Sequence, residues 1–575
     1  MKKILLFSVA AGGIFAGSWI GQTIVKNNAD LVITTVKPNA ILEIELPPTR
    51  SAEFLASHFA QSQNEWSRAD KHLSNVLKLD PKNTDLLKRA MILAMGGGNF
   101  DAAVAHARAY LALDPKNSLA ILIVAAREMK DGQTAAAQKI LDTMPPGDIT
   151  DFVRPLMRAW AAAAQGQLNV TGFNNTTIHN YNAALLALYL NKPEEAKRFA
   201  NAMTRSGTMS PYDAERVADL LAVLDRGKEA LVLYRGILVR DPENAMLLEK
   251  IKIVEANDVA RLKALVPTLA ITTPAHGAAV AVFDMAHILY QEQSDASAKI
   301  FVQMALALNP DYTEAQLLMG QIEAESERYK EAISYFQKIQ PDYPSYLEIQ
   351  RYIAELYQKN GDEARALLLL DQLFNEHRDI DALINIGDIH RGEERYVQAL
   401  KNYDRAAREI GDTIPAEYWY LLYSRGMTYE RLGEWKKAEV DLKAAMAYQP
   451  DQPYLLNYLA YGWADRGINL DDAITLLKRA TELRPDDGFI TDSLGWALFR
   501  MGKHAESIPY LEQAVELMPY DPTLNDHLGD AYWVVGRKRE ARYQWERAIN
   551  NADSTTSVDA LRHKISKGYV PDNSN

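Results

Sequence analysis

Small and large apolar residues recur along this 575-residue chain in a fixed order, with polar positions between them. The last unit shows the order small, large, small, large, small at Gly529, Tyr532, Ala541, Trp545 and Ala548. This order predicts two antiparallel helices in each unit, with Gly and Ala where the helices cross and the large residues filling the space between them. One pair of helices cannot bury its apolar face alone, so we expect neighbouring pairs to stack.

Prolines mark the ends of the units. Pro81 and Pro115 lie 34 residues apart, and Pro450, Pro485 and Pro519 are separated by 35 and 34 residues. Because proline cannot continue a helix, each proline is expected to stop the second helix of a pair. A period of 34 residues that ends in proline resembles the tetratricopeptide repeat. The resemblance implies an all-α, right-handed superhelical solenoid of about fifteen helical hairpins.

The pattern also indicates how the chain is divided. We predict a signal peptide or membrane anchor at 1–26 and a linker at 27–49. An N-terminal repeat array follows at 50–275, a C-terminal repeat array at 276–555, and a capping helix with a tail at 556–575. Prolines and polar loops interrupt the repeat at 145–180 and 245–275. Degenerate units are therefore expected in these two segments.

The N-terminal residues have the pattern of a targeting segment. Lys2 and Lys3 precede an uncharged, mostly apolar run over residues 4–25. A helix of that length spans a bilayer, whereas the small residues at 16–18 would suit cleavage of a signal peptide. The sequence favours an uncleaved anchor with membrane contact through residues 4–25, and a cleaved signal peptide is the alternative. In both cases the rest of the chain is expected outside the cytoplasm.

Composition narrows the chemistry. With 63 basic and 75 acidic residues the net charge is −12, which argues against a nucleic-acid partner because phosphate binding needs a basic face. The chain has no Cys, which excludes disulfides, thiolate catalysis and Cys-based zinc sites. Its 11 His lack the spacing of a metal motif. We therefore expect no metal, no cofactor and no enzymatic activity.

Three stretches extend the resemblance beyond the generic repeat. They are Pro155-Leu156-Met157-Arg158-Ala159-Trp160, Asp492-Ser493-Leu494-Gly495-Trp496-Ala497-Leu498 and His527-Leu528-Gly529-Asp530-Ala531-Tyr532-Trp533. They are similar to a family of proteobacterial envelope tetratricopeptide proteins, typified by the lipoprotein partner of a periplasmic carboxyl-terminal processing protease. The resemblance implies an adaptor in the bacterial cell envelope, membrane-anchored or soluble in the periplasm, that delivers substrates to a protease. The chain lacks the lipidated Cys of that family, so any anchoring has to come from residues 4–25.

The resemblance to the repeat also indicates a binding surface, because such solenoids bind along the concave face that the first helix of each pair lines. In the C-terminal units this face is predicted to present aromatic and arginine side chains at Tyr420, Tyr423, Arg431, Tyr458, Arg466, Trp496, Phe499, Arg500 and Trp533. Arg431, Arg466 and Arg500 hold the same position in consecutive units and are expected to form a ladder. Aromatic residues and arginine dominate protein-binding hot spots. The alternative is that the rings pack between helices and the guanidinium groups are merely solvated.

The sequence thus predicts a non-catalytic scaffold that binds proteins or peptides, an extended peptide or its terminal carboxylate being the best fit. A periplasmic protease is the partner that the family resemblance implies. The alternative is a non-catalytic repeat subunit of a glycosyl-transfer or secretion assembly.

Overall fold

The structure, a computed structural model, describes residues 49–204, 209–242, 244–553 and 556–570. These ranges contain thirty α-helices, two short 3-10 helices and no strand, which confirms the all-α prediction for the part of the chain they cover. The predicted targeting segment at 1–26 and nearly all of the linker lie outside the described residues. No helix within the described ranges has both the length and the apolar character needed to cross a membrane.

The described residues form two compact units, divided between residues 369 and 370, which we call the first and the second unit. The described helices of the first unit are α1 (Arg50–Ser62), α2 (Trp66–Leu79), α3 (Thr84–Gly96), α4 (Phe100–Leu111), α5 (Ser118–Lys130), α6 (Thr134–Leu141), α7 (Asp148–Ala163), α8 (Thr177–Tyr189), α9 (Pro193–Thr204), α10 (Pro211–Val223), α11 (Gly227–Leu238), α12 (Ala245–Glu255), α13 (Val259–Leu265), a 3-10 helix (Pro267–Ala270), α14 (Pro274–Gln291), α15 (Asp295–Leu308), α16 (Thr313–Glu325), α17 (Tyr329–Phe336) and α18 (Tyr346–Lys359). The division between the units falls within α19 (Glu363–His377). The array boundary predicted at residue 275 lies at the start of α14, inside the first unit.

The second unit continues with regular hairpins. Its described helices are α20 (Ile380–Gly392), α21 (Tyr396–Ile410), a 3-10 helix (Ala416–Tyr418), α22 (Trp419–Arg431), α23 (Trp435–Tyr448), α24 (Pro453–Asp465), α25 (Leu470–Leu483), α26 (Gly488–Arg500), α27 (His504–Leu517), α28 (Pro522–Val534), α29 (Lys538–Asn550) and α30 (Val558–Lys567). Successive helices pair as α20–α21, α22–α23, α24–α25, α26–α27 and α28–α29. The last helix, α30, packs on α29, where the sequence predicts a capping helix.

A glycine of the first helix lies against a large side chain of the second helix in these hairpins. A Cβ added at Gly387 would lie 2.4 Å from Cε1 of Tyr403, and one added at Gly529 would lie 2.4 Å from Nε1 of Trp545. Real Cβ atoms do not approach so closely, so only glycine lets the aromatic ring fill the crossing in this way. These are the small and large positions of the repeat pattern, and their predicted roles are confirmed.

The segment between two hairpins both ends one helix and begins the next. Pro81 follows the end of α2, and Asn83 then caps α3 by accepting a hydrogen bond from the N–H of Leu86 at 3.1 Å. Asn117 caps α5 in the same way, with the N–H of Ala120 at 3.0 Å. Proline lacks an amide donor and stops the helix, while the asparagine oxygen satisfies a donor at the next N-terminus. A short string of sequence therefore sets the boundary of the repeat at these two places.

In the first unit, α14 and α15 lie against the first helices of the N-terminal hairpins. α14 packs on α5, α7 and α8, and α15 packs on α3 and α5. Residues 277–287 are all buried, as expected of a helix surrounded by protein on all sides. A Cβ added at Gly277 would lie 2.2 Å from the ring of Trp160 on α7. The chain itself therefore covers this face of the first unit, which the repeat pattern did not predict.

A buried ion pair fixes α14 to two neighbouring helices. Nη1 of Arg216 on α10 lies 2.6 Å from Oδ1 of Asp284 on α14. Nδ2 of Asn182 on α8 donates to Oδ2 of the same carboxylate at 2.7 Å. The guanidinium of Arg216 also lies over the ring of Tyr181, 3.7 Å from its centroid. Burial raises the pKa of Asp284, whereas the charge of Arg216 opposes this change. Because a buried charge without partners is costly, this network makes the position of α14 specific.

Candidate protein-binding face of the second unit

The first helices of the hairpins line one face of the second unit. α20 contacts α22, and α26 contacts both α24 and α28. Side chains of α22 and α24 also meet, since the rings of Tyr423 and Tyr458 lie 6.0 Å apart. We call the surface formed by α20, α22, α24, α26 and α28 the inner face. Eight of the nine predicted site residues lie on these helices, and Arg466 is the C-terminal cap of α24.

Aromatic side chains of α22 and α24 form a cluster on the inner face. Trp419 and Tyr423 stack with centroids 6.3 Å apart, and Tyr423 meets Tyr458 edge-on. The hydroxyl of Tyr420 donates to Asp381 on α20. Tyr423 is buried, and burial raises its pKa to about 12. Tyr420, Tyr458 and Trp419 are only partly buried, so the cluster remains partly accessible to solvent.

The carboxylate of Glu430 joins two of the predicted site residues. The hydroxyl of Tyr458 donates to Oε2 of Glu430 at 3.2 Å, and Nη2 of Arg466 donates to Oε1 at 3.0 Å. The guanidinium of Arg466 lies 4.2 Å from the ring centroid of Trp435. Both contacts with Glu430 connect neighbouring hairpins, so Arg466 contributes to packing between repeats.

The three arginines of the predicted ladder have different surroundings. Arg466 is paired with Glu430, and Nη1 of Arg500 lies 3.8 Å from Oδ1 of Asp465. In each case the acid belongs to the preceding first helix. It lies immediately before that helix's own ladder arginine, Glu430 before Arg431 and Asp465 before Arg466. The side chain of Arg431 is 63% exposed, and its described ion pair is with the adjacent Glu430 at 3.9 Å. Arg431 is therefore the most accessible cation of the three.

A second aromatic cluster joins α26 and α28. Trp496 stacks on His527 with centroids 4.0 Å apart and on Phe499 with centroids 5.0 Å apart. Nδ1 of His527 lies 2.8 Å from Oδ2 of Asp492, a buried carboxylate. Burial opposes a charged imidazole, but the charge and hydrogen bond of Asp492 together with the nearby Asp526 and Asp530 raise the pKa of His527. The cluster therefore combines flat rings with a histidine held toward its protonated form.

The C-terminal segment covers two of the predicted site residues. The ring of Tyr569 lies 5.8 Å from that of Phe499, and Gly568 lies directly against the indole of Trp533. Lys564 of α30 reaches the inner side of α28 and pairs with two aspartates there. Phe499 and Trp533 thus contact the chain's own C-terminal segment.

The polar groups of the inner face are joined in pairs across hairpins, as in Glu430–Arg466 and Asp492–His527. Within the described ranges no group of three His, Asp or Glu side chains is placed to hold a metal ion. Exposed rings beside an accessible arginine suit the side chains of a bound protein, because such residues supply large area and directional donors. The arrangement fits molecular recognition.

Sequence reasoning missed several residues of this surface. Trp419 and Trp435 join the aromatic contacts, and Lys564 and Tyr569 join from outside the repeats. A signal was available for Lys564, since Asp526 and Asp530 lie one turn apart on α28 with no lysine or arginine between them. Two such carboxylates call for a cation from elsewhere.

Comparison with known proteins supports the assignment of the repeats. A family model described as tetratricopeptide repeat matches residues 289–346 and 492–555. The chain is 28% identical over 231 residues to a TPR repeat-containing protein of Pseudomonas aeruginosa. The aligned region covers 40% of this chain and 33% of that protein. The chain therefore spans about a third of the length of this relative.

Two solved structures are similar to the chain. One is the Cut9–Hcn1 hetero-tetramer of the APC/C, with 14% identity, 91% of this chain and 96% of that chain covered, and a TM-score of 0.37. The other is a tetratricopeptide repeat protein from Parabacteroides merdae, with 17% identity, 44% of this chain and 97% of that chain covered, and a TM-score of 0.34.

Proposed function

We propose that this chain, a tetratricopeptide-repeat protein, is a non-catalytic adaptor that binds other proteins along the inner face of its second unit. One observation carries the proposal: the exposed Arg431 lies on that face next to the partly exposed aromatic cluster of α22 and α24. The corresponding face of the first unit is covered by α14 and α15. We therefore assign protein binding to the inner face of the second unit.

The ligand that this surface suits is an extended segment of a protein. Aromatic rings offer a large apolar area to the side chains of a bound segment. An accessible arginine pairs with a carboxylate of the ligand or with its C-terminus. The fixed pairs Glu430–Arg466 and Asp465–Arg500 hold neighbouring first helices together, so the surface is organised before a ligand binds. A preorganised surface loses less entropy on binding.

Charge reversal at Arg431 tests this proposal. Complexes would be cross-linked in cells and purified on the full chain, and the recovered proteins would be compared among the wild type, Arg431→Glu and Lys436→Glu. Lys436 is an exposed residue of α23, outside the inner face, and supplies the same change of charge. We expect Arg431→Glu to lower the recovery of specific partners and Lys436→Glu to leave it unchanged. Equal recovery from all three proteins would contradict the proposal.

We further propose that the adaptor acts in the bacterial cell envelope and delivers substrates to a periplasmic protease. The apolar run at 4–25 and the resemblance of the stretches around Trp160, Trp496 and Trp533 to envelope proteins support this. N-terminal sequencing of the protein from fractionated cells tests the location, since an intact Met1 in the membrane fraction indicates an anchor and a start near residue 19 indicates cleavage. A cytoplasmic protein would contradict the location. A glycosyl-transfer or secretion enzyme recovered in place of a protease would contradict the partner.

A further inference from the structure

Two carboxylates of α28 surround a single ammonium group of α30. Nζ of Lys564 lies 2.7 and 2.9 Å from the two carboxylate oxygens of Asp526 and 2.8 Å from Oδ2 of Asp530. The indole N–H of Trp545 donates to the other oxygen of Asp530 at 3.1 Å. Asp530 is almost completely buried. Charge-assisted hydrogen bonds of this kind strongly favour a cation at this point over a neutral side chain.

The residues that follow α30 occupy an aromatic recess beside these carboxylates. Tyr569 lies edge-on to Phe499 at 5.8 Å. Gly568 is buried against Trp533 with φ of +88°, and a Cβ there would lie 2.0 Å from Cζ2 of the indole. Only glycine adopts this backbone angle without strain at such a close approach. We call the site formed by Phe499, Asp526, Asp530 and Trp533 the C-terminal pocket.

The chain's own occupant of the C-terminal pocket is held mainly by polar and aromatic contacts rather than by a buried apolar face. Leu561 is the only residue of the ten-residue α30 that is fully buried, and Arg562, His563, Ser566 and Lys567 are exposed. A helix of this length is marginal without tertiary contacts. Lys564 and Tyr569 therefore fill the pocket while Leu561 holds the helix on α29.

Two acidic side chains and one ammonium group set the charge of the pocket while Lys564 is bound. Two carboxylates face one ammonium group, and burial together with the charge of Asp526 raises the pKa of Asp530 to about 7. Burial opposes a charged Lys564, but Asp530 and Asp526 outweigh it and raise the pKa of this lysine. Such a site selects basic side chains, and its aromatic wall selects a ring next to them.

We propose that the C-terminal pocket binds a segment of a partner protein that carries a lysine and a downstream aromatic residue spaced as Lys564 and Tyr569 are, and that this segment displaces residues 564–570. The inference rests on the proposed adaptor function and adds a ligand class to it. The chain's own segment is the template for that class, because its lysine and its tyrosine make the contacts that a ligand would replace. The two carboxylates would reject acidic segments by repulsion.

A double variant opens the pocket for a direct test. Lys564→Ala/Tyr569→Ala removes the two side chains that fill it and weakens the hold on Gly568, while Leu561 still holds α30 on α29. A fluorescent peptide with the sequence of residues 558–570 would be titrated into the full-length wild type and the full-length double variant. We expect the peptide to bind the double variant about tenfold or more tightly than the wild type, because the tethered segment competes at a high effective concentration. The same peptide with Lys564→Glu should bind neither protein.

Equal binding of the peptide to the wild type and the double variant would overturn the proposal, as would equal binding of the Lys564→Glu peptide. Panning a random peptide library on the double variant should enrich a lysine or arginine followed by an aromatic residue at the same spacing, and the absence of that pattern would overturn the ligand class. A dimer in which one copy's segment fills the other copy's pocket would replace the partner by a second copy and overturn the proposal as stated.

Two further measurements keep the test decisive. If the double variant does not fold, hydrogen exchange of residues 564–570 in the wild type should speed up when an excess of isotopically heavy peptide is added, and an unchanged rate overturns the proposal. Adding Arg431→Glu to the double variant should leave peptide binding intact. If the peptide does not bind but Arg431-dependent partners are still recovered, only the proposed C-terminal pocket is wrong. If the peptide binds but no partner depends on Arg431, only the proposed inner-face binding is wrong.

Discussion

Arg431 has no acidic partner on the preceding first helix, unlike Arg466 and Arg500. Gly387 and Gly426 hold the same position in their hairpins, so the place of Glu430 is taken in α20 by Arg391. Arg391 is itself engaged by Asp388 and Tyr403. The first arginine of the ladder is therefore left accessible, which makes it the residue best suited to pair with a ligand.

Charge reversal should separate the two kinds of arginine by their effect on stability. Arg466→Glu places a second carboxylate beside Glu430 and removes the contact with Trp435. We expect it to cost about 1–2 kcal/mol of unfolding free energy. Arg431→Glu should change the unfolding free energy by no more than about 0.5 kcal/mol, as most surface substitutions do. Thermal unfolding midpoints of the two variants check this, and equal midpoints would contradict the difference.

Asp530 should make the stability of the C-terminal end depend on pH. It faces Asp526 and His527 on its own helix, Lys564 of α30 and the indole N–H of Trp545. Burial and Asp526 raise its pKa to about 7, whereas a carboxyl in an unfolded chain titrates near 4. The folded state therefore binds a proton more tightly, and the unfolding free energy falls as the pH rises from about 4 to 7. His527 also lowers the unfolding free energy as the pH rises above about 6.5. Its raised pKa stabilises the folded state only while the imidazole is protonated.

Thermal unfolding and hydrogen exchange of α28 to α30 between pH 5 and 8 measure this effect. We expect the wild type to lose stability across this range, by up to about 1.4 kcal/mol for each unit of pKa difference. Asp530→Asn should flatten the profile. Asp559→Asn is the matched control, because the carboxylate of Asp559 is exposed on α30. The same pH profile in Asp530→Asn and in the wild type would contradict the assigned cause.

At the scale of the element, the crossing glycines set the distance between the helices of a hairpin. Gly387 and Gly392 lie in the same helix, α20, but an added Cβ would collide with Tyr403 at Gly387 and meet nothing within 4 Å at Gly392. Gly387→Ala should destabilise the second unit by about 1–3 kcal/mol through overpacking. Gly392→Ala should be neutral or stabilise slightly, because alanine costs less entropy in a helix. Denaturant unfolding compares the two, and similar losses would show that the crossing is not the cause.

Much of each hairpin could be predicted from the sequence, because its contacts are local and periodic. Gly529 and Trp545 lie a fixed number of residues apart, as do Gly387 and Tyr403, and the repeat displays both positions in unit after unit. The proline and asparagine that precede α3 recur before α5. The all-α fold follows from these local rules.

Contacts outside the period could not be predicted from the sequence. Asn182 and Asp284 are 102 residues apart, and no repeat relates α14 to the helices that it covers. The uniformly apolar character of residues 277–283 was the one available sign of a helix enclosed on all sides. Likewise Lys564 and Tyr569 lie beyond the last repeat, so the pattern that selects Phe499 and Trp533 does not indicate what covers them. The predicted binding role of the nine inner-face residues stays a prediction.

At the scale of a whole unit, the ion pair between Arg216 and Asp284 should decide whether α14 stays in place. Asp284→Ala leaves a buried guanidinium without its partner, which costs about 3–5 kcal/mol. The double variant Arg216→Met/Asp284→Leu should recover most of this loss, because it removes both charges. Hydrogen exchange of residues 277–287 is the measurement, with Glu292→Ala, an exposed acid just after α14, as the control. Fast exchange in the control or slow exchange in Asp284→Ala would contradict the role of the pair.

Site-specific photo-crosslinking tests the central claim, that the second unit binds proteins along its inner face, most directly. A photoreactive phenylalanine analogue would replace Tyr461, a half-buried residue of α24, in one full-length protein and Tyr543, an exposed residue of the second helix α29, in another. After irradiation in cells, we expect discrete adducts from position 461, weakened by Arg431→Glu, and none of these adducts from position 543. Adducts of the same partners from position 543, or an insensitivity of the adducts from position 461 to Arg431→Glu, would contradict the account.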